Sequence, residues 1–201
     1  MTHLATDIEL PVGSIGRHAN AWWGMIMLIV TEASLFAYLL FSYYYLAVQH
    51  GREWLPPELP GFGFSIPNSI LLIVSAAAVW RGERILIQGE RAGVVALHLG
   101  IAALLGVGFV VLQAFEWSGQ PFVPATNAFA SLYYTVTAFH LVHEAAGVAI
   151  LAALTLWAAL GYFDRSRNAA VSIGALYWYF VLVAWLAVFL TFYISPRLNV
   201  G

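Results

Sequence analysis

Cysteine is absent from the 201-residue chain, which excludes disulfides, iron–sulfur clusters and thiolate metal sites. Lysine is absent too: all 8 basic side chains are arginine. Charged residues make up only 9% of the chain, against ~25% in soluble proteins. So few charges cannot cover a water-facing surface, and a soluble globule is excluded. The formal net charge of −2 argues against a nucleic-acid partner. There is also no glycine-rich phosphate loop, no nucleophile–base arrangement and no histidine pair placed to hold haem between facing helices. Hydrophobic residues reach 62%, against ~45–50% in soluble domains. The class is integral membrane protein.

A hydrocarbon core of ~30 Å takes about 20 apolar residues at ~1.5 Å each. Five runs are long enough: about Ala21 to Val48, Ile66 to Leu86, Gly93 to Phe115, Ala128 to Leu160 and Val171 to Ile194. None alternates polar and apolar residues as a barrel strand would. The expected architecture is all-α, a bundle of five transmembrane helices over residues 21–196. A cytoplasmic segment (1–20) precedes it and an external tail (197–201) follows. The fourth run exceeds what a perpendicular helix needs and predicts tilt or extension beyond the lipid. Asp7, Glu9 and Arg17 in the first 20 residues do not suit a signal peptide, so the first helix is expected to stay in the mature chain. Pro56, Pro57 and Pro60 mark a loop over Gly51 to Gly63, and Gly119, Pro121 and Pro124 mark another over Ser118 to Thr126.

Arginine sets the orientation. Arg17, Arg81, Arg84, Arg91, Arg165 and Arg167 share one side, while Arg52 and Arg197 lie on the other. The positive-inside rule then predicts a cytoplasmic N-terminus and an external C-terminus. Trp22, Trp23, Trp80, Trp117, Trp157 and Tyr162, near span ends, suit the interfacial aromatic belt.

Polar residues inside apolar runs are the candidate sites. Glu32 sits half-way along the first span, where a carboxyl is expected to be protonated, paired or facing other protein. It reads either as a proton-responsive carboxyl or polar lock, or as a neutral side chain hydrogen-bonded between helices. On the fourth span His140 lies three residues before His143 and four before Glu144, sharing a face with each. A metal site needs a third or fourth ligand, and the only other histidine within a spanning region is His98, so hydrogen bonding between helices or to lipid headgroups is the simpler expectation, with proton handling as the alternative. Ala145, Ala149 and Ala153 form a small-residue ridge on the same helix. Gln113 and Glu116 end the third span, where a carboxylate is expected to reach interfacial water. Arg81, Glu83, Arg84, Glu90 and Arg91 are explained by orientation and headgroup contact.

Several segments together carry a resemblance. They are Trp23-Gly24-Met25 leading to Thr31-Glu32-Ala33, Pro67-Asn68-Ser69-Ile70-Leu71-Leu72, and Leu112-Gln113-Ala114-Phe115-Glu116-Trp117. Thr137-Ala138-Phe139-His140 through His143 and Gly147, then Tyr177-Trp178 and Trp185, complete the order. In this order, over about Trp22 to Tyr193, the chain resembles cytochrome c oxidase subunit III. The resemblance implies a subunit with no catalytic residue, metal or other cofactor of its own, haem and copper residing in the partner catalytic subunit I. Subunit II is a further implied partner, membrane lipid surrounds the chain, and phospholipid is an optional ligand. It implies a multi-pass protein of a bacterial inner membrane in a complex that reduces O2 while pumping protons. In that setting the chain supports assembly, stability and proton uptake. Glu32 falls on the family's buried, carbodiimide-reactive carboxyl; Gln113, Glu116, His140 and His143 fall on other recurrent polar positions, with structural or lipid-contact roles. The N-in orientation agrees with the family.

Departures accompany the likeness. Longer members have two further N-terminal helices that enclose lipid in a cleft, so the resemblance is to the five-helix form found also among quinol oxidases. Cleft lipid carries over only if another subunit supplies the missing pair. The last helix has Ser172, Tyr179 and Leu182 where the family has Glu, His and Asp. Glu144 stands at a usually apolar position and is expected to compensate for them. Two other readings compete: an accessory subunit of a nitric oxide reductase, and a proton-coupled transporter using Glu32 and His140. The transporter lacks the two matching halves such folds show. Compensation predicts that Glu144→Leu lowers assembly or turnover, measured as yield and activity of the purified complex.

Overall fold

The computed structural model describes residues 20–89 and 92–198. The cytoplasmic segment expected over 1–20 (all but Asn20), with Asp7, Glu9 and Arg17, lies outside the described residues, as do Glu90, Arg91 and the last three residues of the tail. Five α-helices follow in order: α1 (Asn20–His50), α2 (Phe62–Gln88), α3 (Ala92–Ser118), α4 (Ala128–Ala159) and α5 (Ala169–Phe189). A π-helical turn (Leu190–Ile194) and a short 3-10 turn (Ser195–Arg197) extend α5. All five units are long and apolar enough to cross a bilayer. There is no strand among the described residues.

Two boundaries differ from expectation. Helix α2 starts at Phe62, four residues before the apolar run, because Gly61 and Gly63 make the sequence there look like loop. Pro67 falls within its second turn, early enough that only one helical hydrogen bond is lost. The last helix does not stay α-helical to Ile194. Its π turn puts Thr191, Phe192 and Tyr193 all into the core, a wider arc than the one-sided stripe of a surface helix.

Helices α2, α3 and α4 pack side by side in chain order, and α5 closes the bundle against α4 and α2. Helix α1 lies outermost, against α5 and α4, burying only Phe36, Tyr43 and Ala47. The α2–α3 hairpin turns at Gly89, whose φ of 81° suits a left-handed helix cap. Between α4 and α5 the Asp164 carboxylate accepts from Ser166 N at 2.7 Å, from Arg167 N at 2.8 Å and from the Ser166 hydroxyl. The Ser166 hydroxyl, then these amides, hold its pKa below the ordinary carboxylate value. At the opposite end Trp54, from the proline-rich loop, packs edge-on against Tyr43 and Phe129 at 5.2 and 5.6 Å between centroids. Arg197 donates to Pro60 O at 2.6 Å and covers the Phe62 ring at 4.3 Å, tying the end of the chain to the α1–α2 loop.

Close helix approach uses glycine rather than the alanine ridge. Ala145 and Ala149 are exposed within this chain. Gly147 and Gly106 instead face the Trp178 indole, and a β-carbon on either would come within 2.7 Å of it. Overpacking of this kind costs roughly 1–3 kcal/mol. Gly147→Val is therefore expected to lower the melting temperature in detergent. Gly93→Ala, with nothing within 4 Å of the added atom, should leave it unchanged.

Candidate functional site

The sequence-selected polar residues fall into three groups. The first lies between α1 and α4. Glu32 Oε2 is 3.1 Å from His143 Nε2, with 30% of the Glu32 side chain and 12% of the His143 side chain exposed. His143 Nδ1 is 2.7 Å from Phe139 O. A carbonyl only accepts, so Nδ1 carries a hydrogen. The contact to Glu32 then needs one further proton, on the carboxyl or on Nε2. Hydrogen bonding therefore requires this pair to hold one proton between its two facing atoms. Phe36 packs over His143 at 5.2 Å, and Tyr177 donates to His143 O at 3.3 Å.

The second group is enclosed by α3, α4 and α5. His140 Nε2 donates to Val181 O at 3.1 Å, and its ring packs on Trp185 and Phe109. Its Nδ1 is buried without a partner. One turn on, Glu144 is 0% exposed and neither carboxyl oxygen has a hydrogen-bond partner. Its neighbours include Gly106, whose added β-carbon would lie 3.2 Å from Oε1. His140 and His143 thus diverge despite their spacing. The expected compensation by Glu144 for Ser172, Tyr179 and Leu182 has no direct hydrogen bond behind it. Among the described residues, no three His, Asp or Glu side chains converge as a metal site.

The third group overturns the expectation of a water-reaching helix end. Glu116 is 3% exposed. Its Oε1 accepts from Tyr193 at 2.6 Å and from Tyr133 at 3.3 Å, and its Oε2 accepts from Gln113 at 3.3 Å. Asn68 of α2 reaches Gln113 at 3.5 Å, and Gln120 reaches Tyr133 at 3.2 Å. The π turn is what brings Tyr193 onto this carboxyl. Sequence reasoning missed Tyr133 and Tyr193, because a tyrosine in an apolar span reads as belt or core. Two further locks were unforeseen: Trp178 Nε1 donates to Ser75 at 3.0 Å and Trp185 Nε1 to Ser69 at 2.9 Å. Asn68 and Ser69, adjacent polar residues about two turns into α2, were the available signal.

Residues 13–196 match the family described as cytochrome c oxidase subunit III. The chain belongs to that family. It is 30% identical over 178 residues to cytochrome c oxidase subunit 3 of Drosophila yakuba, covering 85% of this chain and 68% of the relative. The Synechocystis protein of the same name is 29% identical over 204 residues, 96% of this chain and 86% of its own length. That of Neurospora crassa is 32% identical over 179 residues, with coverages of 85% and 65%. The chain is thus a subunit III of a haem–copper oxidase and a multi-pass membrane protein. Several residues the resemblance rested on lock helices together: Asn68 and Gln113 join α2 to α3, Ser69 and Trp185 join α2 to α5, Trp178 of α5 reaches Ser75 of α2, and Glu116 of α3 holds Tyr193 of the π turn.

Tyr193→Phe removes the shortest bond to Glu116 and leaves a buried carboxyl under-satisfied. It is expected to destabilise the chain by about 1–2 kcal/mol, read as a lower melting temperature in detergent. Tyr38→Phe, on a ring that is 70% exposed, should not.

Proposed function

We propose that the chain is the non-catalytic third subunit of a respiratory terminal oxidase in a bacterial inner membrane, with cytochrome c or quinol as electron donor. It packs beside catalytic subunit I, which holds haem and copper, and with subunit II. Residues 21–196 form its membrane domain, with the N-terminal segment inside the cell and the tail outside.

The observation that supports this reading most is the Glu32–His143 pair. Glu32 sits mid-span on the helix least covered by the rest of the chain, and its carboxyl is held from one side only. A half-covered carboxyl at hydrocarbon depth needs further protein around it. A catalytic subunit seated on α1 supplies that cover. The pair then acts as an interface lock next to the proton-uptake region, keeping one proton between Glu32 and His143. Gln113, Glu116 and His140 act inside the bundle, as supports for the helices that present it.

Mild-detergent purification through a tag on this chain, with an optical redox spectrum, metal analysis and subunit masses, tests the proposal. Co-purified haem and copper with O2 consumption is the expected result. Haem with non-haem iron and no copper would assign a nitric oxide reductase instead, and a colourless single species would overturn a complex of either kind.

A further inference from the structure

One cluster of cations is left unused by this function. It stands at the end of the bundle where α2 gives way to α3, the side the arginine distribution predicts to be cytoplasmic. Trp80, Arg81, Arg84 and Gln88 of α2, with Val94 and His98 of α3, line a cavity of about 290 Å³. The α2 residues recur at helical spacing on one face. Arg84 lies 5.2 Å from the Trp80 ring centroid. Neither arginine has an ion-pair partner among the described residues. His98 Nδ1 is 2.8 Å from Val94 O, so it donates there and Nε2 is left available. Gly82 lets the two helices come together here, since a β-carbon on it would sit 3.2 Å from His98 Cβ. Glu83 faces the adjoining groove with Tyr179, a groove that Trp80 and Arg84 also line, and does not line this cavity.

We propose that this cavity binds the phosphodiester of an anionic phospholipid. Two guanidinium groups, without an ion-pair partner among the described residues, supply charge and directional donors that match phosphate oxygens. Trp80, half exposed at 51%, has the amphipathic ring that suits headgroup depth. One to two turns toward the membrane centre, the same helices present exposed apolar side chains: Val74 at 49% and Ile101 at 42%. A headgroup in the cavity thus has a hydrocarbon track for its acyl chains, which a soluble phosphate does not need. Basic pockets between transmembrane helices on the cytoplasmic side bind anionic headgroups in this way. The site is built by α2 and α3 alone, so it needs no further helix, and it stands whether or not the partners are oxidase subunits.

The test is native mass spectrometry of the full chain with its co-purifying partners. After delipidation it is titrated with phosphatidylglycerol, with phosphatidylcholine, and with phosphatidylglycerol in the presence of inorganic phosphate. Wild type should take up phosphatidylglycerol in preference to phosphatidylcholine. Arg81→Gln/Arg84→Gln should weaken the tightest phosphatidylglycerol site by about thirtyfold, at roughly 1 kcal/mol per arginine. Arg52→Gln/Arg167→Gln removes equal charge elsewhere and should change it less than twofold. Equal uptake of the two lipids by wild type overturns the proposal even if the double variant fails to assemble. So does an equal effect of both double variants. Displacement by millimolar phosphate, with no preference for the lipid, would assign the cavity to the free anion and also overturn it.

Discussion

Lipid offers a polar group no hydrogen bond, so a donor or acceptor in the spans costs free energy unless it finds a partner inside the protein or reaches an end of the helix. That constraint organises the bundle more than hydrophobicity does, because apolar side chains gain little by leaving apolar lipid. The two indoles buried within the spans show it. Trp178 and Trp185 are wholly enclosed, yet each carries one N–H that must be satisfied. Ser75 and Ser69, six residues apart on α2, accept them. Those two bonds fix both the rotation and the axial register of α5 against α2. With α5 so placed, its backbone at Val181 meets His140 and its π turn brings Tyr193 to Glu116.

Large indoles in a helical bundle also demand space, and glycine provides it. Gly106 of α3 and Gly147 of α4 both face the Trp178 ring at distances that leave no room for a β-carbon. Indole and glycines are therefore one unit: the ring fills the gap that the small residues open, and its N–H crosses to α2. The same logic works at Gly174, where Leu154 and Ile150 would meet an added β-carbon at 2.5 and 3.2 Å. Alanine spacing along α4 gives the wrong answer because it counts small residues without asking what faces them. Ala145 and Ala149 lie on the outer side.

The fold class was legible because it rests on composition and length, which a bilayer converts directly into helices. Helix number and most ends followed from the apolar runs. The exceptions were places where local chemistry overrode hydropathy: the glycine-flanked start of α2 and the π turn after Phe189. The identities of Glu32, Gln113, Glu116, His140, His143 and Glu144 were legible as polar residues in apolar surroundings. Their pairing was not, since partners come from helices up to 111 residues apart in the chain. Position near a span end misled for Glu116, because the loop after α3 and the aromatic side chains of α4 and the π turn close over it. No periodicity in α3 alone carries that information.

Glu32 and Glu144 show how differently one residue type is accommodated within a single bundle. Glu32 has a partner that can share a proton with it and lies where a neighbouring subunit can complete its surroundings. Glu144 is fully enclosed, and among the described residues nothing donates to it or accepts from it. A buried carboxyl in that position costs folding free energy in either protonation state, since even the neutral form leaves a donor and acceptors unmet. An aliphatic side chain of similar volume would serve the packing of α3, α4 and α5 at least as well. Hydrogen bonding within the chain therefore does not account for Glu144. Its neighbour one turn back, His140, also keeps one buried ring nitrogen unmet. Two under-satisfied titratable groups on successive turns of α4, beside the face where Glu32 meets His143, tie the unexplained polarity of the core to the helix that meets α1. The bundle bears that cost along α4, the helix whose His143 holds the half-covered carboxyl of α1.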